Sequence, residues 1–541
     1  MLPEIDLTAS ASLPEGALKT FATPDGGPQV LLTRQQGQVH AFAPNCPHYG
    51  APLEKGKVVA GRLICPWHHA CFRVESGQLC EPPALDDLPS YAVREAGGRI
   101  WVRVPANPPA STDQPDTTPT AELGGTPPAP AAAPTDQRTF ILVGAGAAGQ
   151  FAAQTLRREG FRGRIVLLTA EAQLPYDRTK LSKAYLAGKA EPPALPLREK
   201  PFYEAQHIEL LTNARVTGID TEKQEVQLAD LPPLRYDQLL LAPGTMPNLL
   251  PQLPGHDLNG VLPLRSRADA DVLLEATREA AQVVVIGASF IGMEAAASLV
   301  AEGRQVTVVA QEKVPFAKVL GPEIGQMFQQ MHEEKGVHFE TEAEVESLLS
   351  EGNQVSAVLL KSGRKLPTQV VVLGVGVRPA TEFLRSSFGL EKDGGLQTDE
   401  YLRVAENVYA AGDIAAFPLA ATGKPTRIEH WRLAQQHGQL AARNMLGQRE
   451  KFTTAPFFWT QQFGKSLRYA GHADKWDDLI YHGEVAQQKF LAFYVQRGRI
   501  VAVAGMGRDA DMIYISELLG LGRMPVPAKL QPDTDWAALL G

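Results

Sequence analysis

The chain has 541 residues, of which 44% are hydrophobic and 21% charged, and this length is too great for a single hydrophobic core. Its net charge of −8 argues against nucleic acid as a partner, and no segment approaches the roughly 20 consecutive apolar residues that span a bilayer. The four cysteines are too few for a disulfide scaffold and the N-terminus lacks the pattern of a secretory signal, so we expect a cytoplasmic protein.

Short apolar runs separated by turns make up the first 104 residues. The runs at 29–33, 39–42 and 99–104 have the length and the β-branched and aromatic content of strands. They predict a small antiparallel β domain over residues 1–104.

Two loops of this domain each combine a thiol with an imidazole. Cys46 and His48 form a Cys-x-His pair, and after sixteen residues Cys65 and His68 form a Cys-x-x-His pair. Two cysteines and two histidines also suit a tetrahedral zinc ion, although Cys-x-His is tighter than the usual zinc-finger spacing. A disulfide is the third alternative, which a reducing compartment disfavours.

The two loops resemble those of the Rieske family. The resemblance implies that Cys46 and Cys65 hold one iron of a [2Fe–2S] cluster and that His48 and His68 hold the other. Two neutral imidazoles in place of two thiolates make such a cluster less negative, which raises its reduction potential. Three nearby residues stand outside this ligand set: His69, Cys71 and Cys80.

Residues 105–137 are rich in proline, alanine and threonine and almost free of large apolar side chains. A segment of this composition cannot bury a core of its own. We therefore expect a semi-rigid, disordered tether between the N-terminal domain and the rest of the chain.

Two later segments resemble each other. Residues 139–160 read TFILVGAGAAGQFAAQTLRREG, and residues 283–303 read VVVIGASFIGMEAAASLVAEG. Each is an apolar strand, a glycine-rich turn and an alanine-rich helix, so the repeat predicts two dinucleotide-binding domains. In the first turn, Gly144 permits the bend, Gly146 admits a pyrophosphate and Gly149 lets the helix approach the strand.

The first unit, together with LAPGT at 241–245 and VYAAGD at 408–413, resembles the flavoproteins that bind two dinucleotides. Over about residues 139–471 the chain is similar to the ferredoxin reductases of oxygenase systems and to apoptosis-inducing factor. The resemblance implies bound FAD, with Glu171 on the adenosine ribose and Asp413 at the ribityl–phosphate end. The other residues that it assigns to FAD are Arg178, Lys183, Arg265, Glu429, His430, Trp431 and Trp459.

The second turn is assigned to a nicotinamide cofactor. Gly287 and Gly292 match the fingerprint, whereas Ser289 replaces its middle glycine, so a shifted pose of the pyrophosphate is expected. Glu294 matches an acid that pairs in the family with the lysine equivalent to Lys183. We predict this ion pair beside the flavin, where it positions the nicotinamide.

The strand that follows the second turn ends without the acid that usually holds the ribose of NAD. Ala310 stands at that position, followed by Glu312, which could reach the ribose, and Lys313, which could meet a 2′-phosphate. Whether the donor is NADH or NADPH stays open, and the absence of a nearby arginine favours NADH. The loop around Gly376 resembles the segment that closes over the nicotinamide.

The fold expected is a multidomain α/β protein with additional β structure, namely a small β Rieske domain, two Rossmann-like domains and a C-terminal α+β domain. The expected boundaries are 1–104 for the Rieske domain, 105–137 for the linker, 138–257 and 381–449 for the FAD-binding domain, 258–380 for the NAD(P)H-binding domain, and 450–541 for the C-terminal domain.

No cysteine follows Cys80, which excludes the dithiol relay of disulfide reductases. We therefore expect an FAD-dependent NAD(P)H oxidoreductase that passes electrons to FAD, to the [2Fe–2S] cluster and then to an acceptor, most simply a protein. Two alternatives are a reductase of a small acceptor such as a quinone, a nitrogen oxide or a xenobiotic, and an NADH-responsive redox sensor. Monomer and homodimer are both left open.

Overall fold

The computed structural model describes residues 4–24, 27–105 and 124–541. The N-terminal domain consists of two antiparallel sheets, in the orders β1-β10-β9-β4-β3-β2 and β5-β6-β7-β8, as the strand pattern predicts. Its strands are β1 (Ile5–Ala9), β2 (Leu18–Ala22), β3 (Gln29–Gln35), β4 (Gln38–Phe42), β5 (Lys57–Val59), β6 (Arg62–Ile64), β7 (Cys71–Arg73), β8 (Leu79–Glu81), β9 (Ser90–Ala96) and β10 (Arg99–Arg103).

The described part of the linker differs from the semi-rigid, disordered tether expected from its composition. Residues 106–123 lie outside the described part, but 124–137 run along the folded domains. Thr126 and Asp87 exchange two backbone hydrogen bonds of 2.9 and 3.1 Å, and the Ala131 amide donates to the Ala205 carbonyl at 2.9 Å. This segment has no core of its own, so its backbone N–H and C=O groups form hydrogen bonds with the neighbouring domains.

The first dinucleotide domain begins with a parallel sheet. Its strands and helices before residue 257 are β11 (Thr139–Val143), α1 (Ala147–Arg158), β12 (Arg164–Leu168), α2 (Lys200–Ala205), β13 (Ile208–Leu211), β14 (Val216–Asp220), β15 (Glu225–Leu228), β16 (Leu234–Arg235), β17 (Gln238–Leu241) and β18 (Thr245–Pro247). The segment 139–143 is fully apolar apart from its first residue because the sheet is covered on both faces.

The second dinucleotide domain repeats this plan with the sheet order β19-β26-β20-β21-β22. Its elements are β19 (Val261–Pro263), α3 (Arg267–Thr277), β20 (Gln282–Ile286), α4 (Phe290–Ala301), β21 (Gln305–Val309), α5 (Ala317–Leu320), α6 (Pro322–Glu333), β22 (His338–Glu340), β23 (Val345–Glu351), β24 (Gln354–Leu360), β25 (Lys365–Pro367), β26 (Val370–Leu373) and β27 (Val377–Pro379).

The chain then returns to the first dinucleotide domain. The elements of this return are β28 (Leu396–Gln397), β29 (Arg403–Ala405), β30 (Val408–Ala410), β31 (Ala415–Pro418), β32 (Pro425–Arg427) and α7 (Trp431–Met445). Strand β30 pairs in parallel with β17 and so extends the sheet to the order β13-β12-β11-β17-β30-β29. Helix α7 packs on α1, which brings residues 412–437 over the first glycine-rich turn.

The C-terminal domain is an antiparallel sheet, β33-β34-β37-β36-β35, with helices on one side. Its elements are β33 (Phe457–Gln462), β34 (Lys465–Gly471), β35 (Asp478–Glu484), β36 (Lys489–Gln496), β37 (Arg499–Met506), α8 (Asp509–Gly520) and α9 (Trp536–Leu540). The pair β36 and β37 is the hairpin indicated by the two apolar runs on either side of Arg497-Gly498.

Within the described residues, none of the helices combines the length and the apolar character that crossing a bilayer requires.

Candidate functional site

The four predicted metal ligands form two side-chain pairs in the loops that follow β4 and β6. Nδ1 of His48 lies 3.1 Å from Nδ1 of His68, and the two rings meet edge to face. Cys46 and Cys65 are both free thiols, fully buried and in contact with each other. The loops that follow β4 and β6 thus bring together one imidazole pair and one thiol pair.

This donor set fits a [2Fe–2S] cluster with two protein ligands on each iron. Burial lowers the pKa of His48 to about 3, so its imidazole is neutral and can donate a lone pair to a metal. The backbone amides of His48 and Tyr49 point at the sulfur of Cys46, and those of Trp67 and His68 at the sulfur of Cys65. Burial raises the pKa of the Cys46 thiol, and these amides act in the opposite direction by stabilising negative charge on the two sulfurs.

The remaining residues of the second loop face the body of the protein. His69 is buried with φ of +57°, and its ring stacks on Phe457 at a centroid distance of 4.1 Å. Cys71 is buried beside Ile64 and beside Ile513 of α8. Both residues therefore belong to the contact between the N-terminal and C-terminal domains.

The first glycine-rich turn has the shape that a dinucleotide pyrophosphate requires. A Cβ on Gly144, whose φ is +100°, would lie 2.0 Å from the Ala242 carbonyl oxygen, and one on Gly149 would lie 1.8 Å from the oxygen of Gly144. Around Gly146, by contrast, no described atom lies within 4 Å of the position that a Cβ would take. Two glycines are thus needed for close packing, and beside the third lies open space, where the sequence predicts the pyrophosphate.

The residues predicted at the adenosine end of FAD lie together after strand β12. Glu171 forms an ion pair with Arg178 and accepts a 2.6 Å hydrogen bond from the Tyr176 hydroxyl. Burial raises the pKa of Tyr176, so the phenol keeps its proton. The acid is therefore fixed at the edge of the first sheet, where it can meet a ribose.

The residues predicted at the other end of FAD also meet. Arg265 lies 2.8 Å from Asp413, which accepts a further 3.0 Å hydrogen bond from Thr245. Glu429 is ion-paired with Arg427, and burial raises the pKa of its carboxyl group.

The predicted pair of Lys183 and Glu294 is in direct contact, with 2.8 Å between Nζ and Oε2. Glu294 is 4% exposed and accepts two more hydrogen bonds, from Ser182 at 2.5 Å and from Thr460 at 2.7 Å. Donors therefore engage both oxygens of this buried carboxylate. Helix α4, strand β33 and the turn before residue 185 all contribute to this group.

Trp459 is adjacent in the chain to Thr460 and lies against the metal-binding loops. Its ring centroid is 4.2 Å from that of His68 and 6.3 Å from that of His48. The half-buried His430, just before α7, packs on Phe458 of β33, the strand that also carries Trp459. Desolvation of its ring lowers the pKa of His430 to about 3.

Trp431 begins helix α7 and packs beside Phe151 of α1. It therefore lies at the contact between α1, α7 and the N-terminal domain.

The second glycine-rich turn repeats the geometry of the first. A Cβ on Gly287 or Gly292 would lie 2.4 Å from a backbone oxygen. Ser289 takes the place of the middle glycine with an extended backbone, and its hydroxyl accepts a hydrogen bond from the Gly292 amide at 3.3 Å. The serine thus caps helix α4 and is accommodated without strain.

The other residues predicted to contact the nicotinamide cofactor follow strands β21 and β26. Gly376 has φ of +83°, and its carbonyl accepts from the Asn248 amide. Ala310 is buried at the end of β21, and Glu312 lies 2.6 Å from Lys318 instead of standing free. The role of Lys313 at a 2′-phosphate stays a prediction.

Several residues of the site were not predicted from the sequence. Ser182 and Thr460 complete the shell of Glu294, and Gly438 allows α7 to approach α1, because a Cβ there would lie 2.1 Å from the Ala148 oxygen. A glycine inside an otherwise regular helix was the one sequence signal that could have indicated this approach.

Arginines from the flavin-binding side hold the second metal loop. Arg432 of α7 donates to the carbonyl oxygens of His69 and Pro82 at 3.0 Å and forms an ion pair with Glu81 at 2.7 Å. Arg468 of β34 donates to the Trp67 carbonyl at 2.9 Å. No local sequence pattern indicates these contacts, since the partners lie hundreds of residues apart.

Three family models match this chain. Residues 138–438 match the pyridine nucleotide-disulphide oxidoreductases, residues 4–92 the Rieske [2Fe-2S] domain, and residues 457–540 the reductase C-terminal domain. The glycine-rich turns, the four metal-binding residues and β33–β37 fall within these three matches.

Relatives and solved structures match most of the chain. Apoptosis-inducing factor 3 from Mus musculus is 40% identical over 501 residues, which are 92% of this chain and 81% of the relative. The structure of a ferredoxin reductase from Rhodopseudomonas palustris superposes with a TM-score of 0.71 at 32% identity, covering 75% of this chain and 100% of that one. A chain of the covalent putidaredoxin reductase–putidaredoxin complex gives a TM-score of 0.71 at 30% identity, over 75% of this chain and 99% of that one.

Proposed function

The chain belongs to the pyridine nucleotide-disulphide oxidoreductases and carries an N-terminal Rieske [2Fe-2S] domain, and from this premise we propose that it passes electrons from NAD(P)H through FAD and the cluster to a protein acceptor. The solved relatives include a chain of a covalent putidaredoxin reductase–putidaredoxin complex, which supports a protein as acceptor. All four cysteines precede residue 81, so the flavoprotein part has no dithiol to intervene between the flavin and the cluster.

The observation that carries this proposal is a continuous line of contacts between the two redox sites. His68 packs on Trp459, and the next residue, Thr460, donates to Glu294, which is paired with Lys183. The line joins the histidine side of the Rieske loops to the group proposed to lie beside the flavin ring. No second molecule is needed to bring the two sites together.

FAD supplies the step between a two-electron donor and a one-electron cluster. We assign its pyrophosphate to the turn of Gly144, Gly146 and Gly149, and its ribose to Glu171. Asp413, fixed by Arg265, receives the ribityl–phosphate end. Arg178, which is ion-paired with Glu171, is assigned to the pyrophosphate between the two ends. The residues assigned to the flavin ring and its surroundings are Glu429, His430, Trp431 and Trp459.

Lys183 and Glu294 are assigned the positioning of the nicotinamide at the flavin. The carboxylate holds the ammonium in one place, so the lysine presents a fixed positive charge instead of a mobile one. We assign the nicotinamide cofactor to Gly287, Gly292 and Gly376, with NADH favoured because no arginine stands near the end of β21.

The cluster is assigned to Cys46, Cys65, His48 and His68. Trp459 contacts the rings of the histidine pair. We further propose that the protein works in the cytoplasm, where a reducing environment keeps its cysteines available as ligands.

Anaerobic stopped-flow mixing with NADH, and separately with NADPH, tests this function. The expected result is loss of flavin absorbance first, followed by reduction of the cluster and then by turnover only when a protein acceptor such as cytochrome c is added. Reduction of the flavin with a cluster that stays oxidised would contradict the order of transfer. Rapid turnover with a quinone and none with a protein would instead identify a small-molecule reductase.

The variant Trp459→Leu sharpens the experiment because it opens the contact between the two sites. It should slow reduction of the cluster by a much larger factor than reduction of the flavin by NADH. Trp476→Leu is the matched control, since Trp476 packs on Tyr494 within the C-terminal domain, away from both sites. Equal effects of the two substitutions on the cluster would remove Trp459 from the route.

A further inference from the structure

We propose that the Rieske domain stays docked on the flavoprotein throughout turnover, so that its cluster is a resident acceptor and not a carrier that swings on a tether. This inference rests on the proposed function, because it concerns the same electron route. The observations that support it are the contacts between the two domains. Four independent features of that contact support it.

The first feature is a buried ion pair between the domains. Asp86 of the Rieske domain and Arg198 of the flavoprotein are 7% and 8% exposed and approach to 2.5 Å. Arg198 also donates to the Leu85 carbonyl at 2.9 Å and to Gln154, so its guanidinium is engaged on both sides. The contact removes both charges from water and satisfies them within the chain, and this bidentate arrangement defines one geometry of the two domains.

The second feature is apolar packing across the boundary. Leu85 meets Phe151 and Leu197, and these three side chains are at most 5% exposed. On the other side, Ile64 meets Ile513 of α8, and both are at most 1% exposed. Transient contacts between domains are typically more polar than this, whereas permanent interfaces resemble a core.

The third feature is the backbone of His69. This residue holds a left-handed conformation, which is unfavourable for a residue other than glycine. Its ring is placed by that conformation on Phe457 of the C-terminal domain, and its carbonyl is held by Arg432. Both of these contacts of His69 cross the domain boundary.

The fourth feature is the described half of the linker. Thr126 pairs with Asp87 of the Rieske domain, and the next few residues are fixed to the flavoprotein through Gln206, whose side chain donates to the Ala129 carbonyl at 2.7 Å. A Cβ on Gly125 would lie 2.3 Å from the side chain of Asp86. Residues 124–137 therefore cross the boundary beside the buried ion pair and close it.

Docking has a direct consequence for the cluster. His48 and His68 are 6% and 8% exposed, and Trp459 covers their rings. The face of the flavoprotein around Trp459 is thus occupied by the chain's own domain. A separate iron–sulfur protein has no access to that face, and the final acceptor takes its electron from the docked domain.

Cutting the linker tests the proposal in the intact holoenzyme. A protease site inserted between residues 106 and 123 allows cleavage after folding and loading. The two fragments should elute together at roughly 100 nM, a concentration at which weak transient complexes separate. The rate of cluster reduction by NADH should be the same before and after cleavage and independent of dilution.

Two substitutions and one control accompany the cleavage. Asp86→Ala leaves Arg198 buried without its partner, and after cleavage it should weaken association of the fragments by at least about 100-fold. Ile513→Glu should have the same effect from the other side of the contact, which covers the case in which Asp86→Ala does not fold. Asp6→Ala, an acid of the same domain that is paired with Arg99 at the surface, should leave association unchanged.

Each outcome decides one of the two proposals. Separation of the cleaved wild-type fragments, or a rate of cluster reduction that falls on dilution, overturns permanent docking while leaving the electron route intact. Fragments that stay together around a cluster that NADH never reduces support docking and overturn the proposed function.

Discussion

The carboxylate of Glu294 accepts hydrogen bonds from three different side chains, which together fix its orientation. Ser182 and Lys183 share one carboxylate oxygen and Thr460 takes the other. With both oxygens engaged, the carboxylate cannot rotate, and the position of the lysine is fixed with it. The group therefore works as one unit, and the loss of any member moves the others.

The substitution Glu294→Gln should slow reduction of the flavin by NADH by roughly 10- to 100-fold, because the ammonium of Lys183 loses the charge that positions it. Single-wavelength stopped-flow measurement of flavin absorbance gives the rate. Glu302→Gln, an exposed acid just past the end of the same helix, is the control and should have no effect. A normal rate in Glu294→Gln would remove this ion pair from the site.

His437 supports a second residue-level prediction, on pH. It is completely buried in α7, burial lowers its pKa to about 3, and its Nδ1 accepts from the Gly412 amide beside Asp413. In the unfolded chain the imidazole of His437 binds a proton below about pH 6.5, whereas in the folded chain it stays neutral down to about pH 3. The contribution of His437 to the free energy of unfolding is therefore fully present above about pH 6.5. It falls by about 1.4 kcal/mol per pH unit as the pH drops toward 3.

Urea unfolding followed by flavin fluorescence between pH 7 and pH 5 measures this dependence. His437 should lower the free energy of unfolding by about 2 kcal/mol between about pH 6.5 and about pH 5. His437→Gln removes the titrating group and should flatten the curve by that amount. The same slope in both proteins would assign the acid sensitivity to other groups.

Two helices, α1 and α7, pack together beside the proposed FAD site. Helix α1 begins at the glycine-rich turn, and α7 lies across it with Gly438 against the backbone of Ala148. This approach is closer than any side chain at position 438 permits. The return of the chain after residue 381 thus completes the sheet and also packs the helix that covers the turn.

The substitution Gly438→Ala should destabilise the FAD-binding domain by about 1–3 kcal/mol, since the added methyl group meets a backbone oxygen that cannot move aside. Release of FAD on heating, followed by flavin fluorescence, reports the change as a lower transition temperature. Gly520→Ala in α8 is the matched control, because a Cβ there has no described neighbour closer than 3.5 Å. Equal transition temperatures for the two variants would show that α7 can shift.

The whole molecule places two redox sites in one fixed assembly. The Rieske domain contacts α1, α7, α8 and the strands β33 and β34, so it touches both the FAD-binding and the C-terminal domain. The Asp86 and Arg198 charges at this contact are buried and paired within the chain. Electrons that reach the cluster therefore do so without a diffusional encounter.

Raising the ionic strength should distinguish internal from external transfer. Reduction of the cluster by NADH should change by less than about twofold between roughly 0.01 M and 0.5 M salt, because no charged surfaces have to meet. Transfer to a separate charged acceptor should fall, by about tenfold or more where it is steered electrostatically. A strong salt dependence of the internal step, measured from cluster absorbance, would indicate that the Rieske domain undocks.

The sequence by itself determined the parts of this protein that depend on residues close together in the chain. The metal-binding loops and the glycine-rich turns, with the spacing around Gly144 and Cys46, are local patterns, and each requires particular residue types at fixed separations. The order of the domains follows from these patterns.

Only the tertiary structure decided how the parts meet. The contact of His68 with Trp459, the pairing of Asp86 with Arg198, and the packing of residues 124–137 join segments that are far apart in the chain. Such contacts depend on the relative positions of whole domains, which no local spacing encodes. The linker illustrates the difference, since its composition predicts a semi-rigid, disordered tether, while the backbone of residues 124–137 forms hydrogen bonds with the domains on either side.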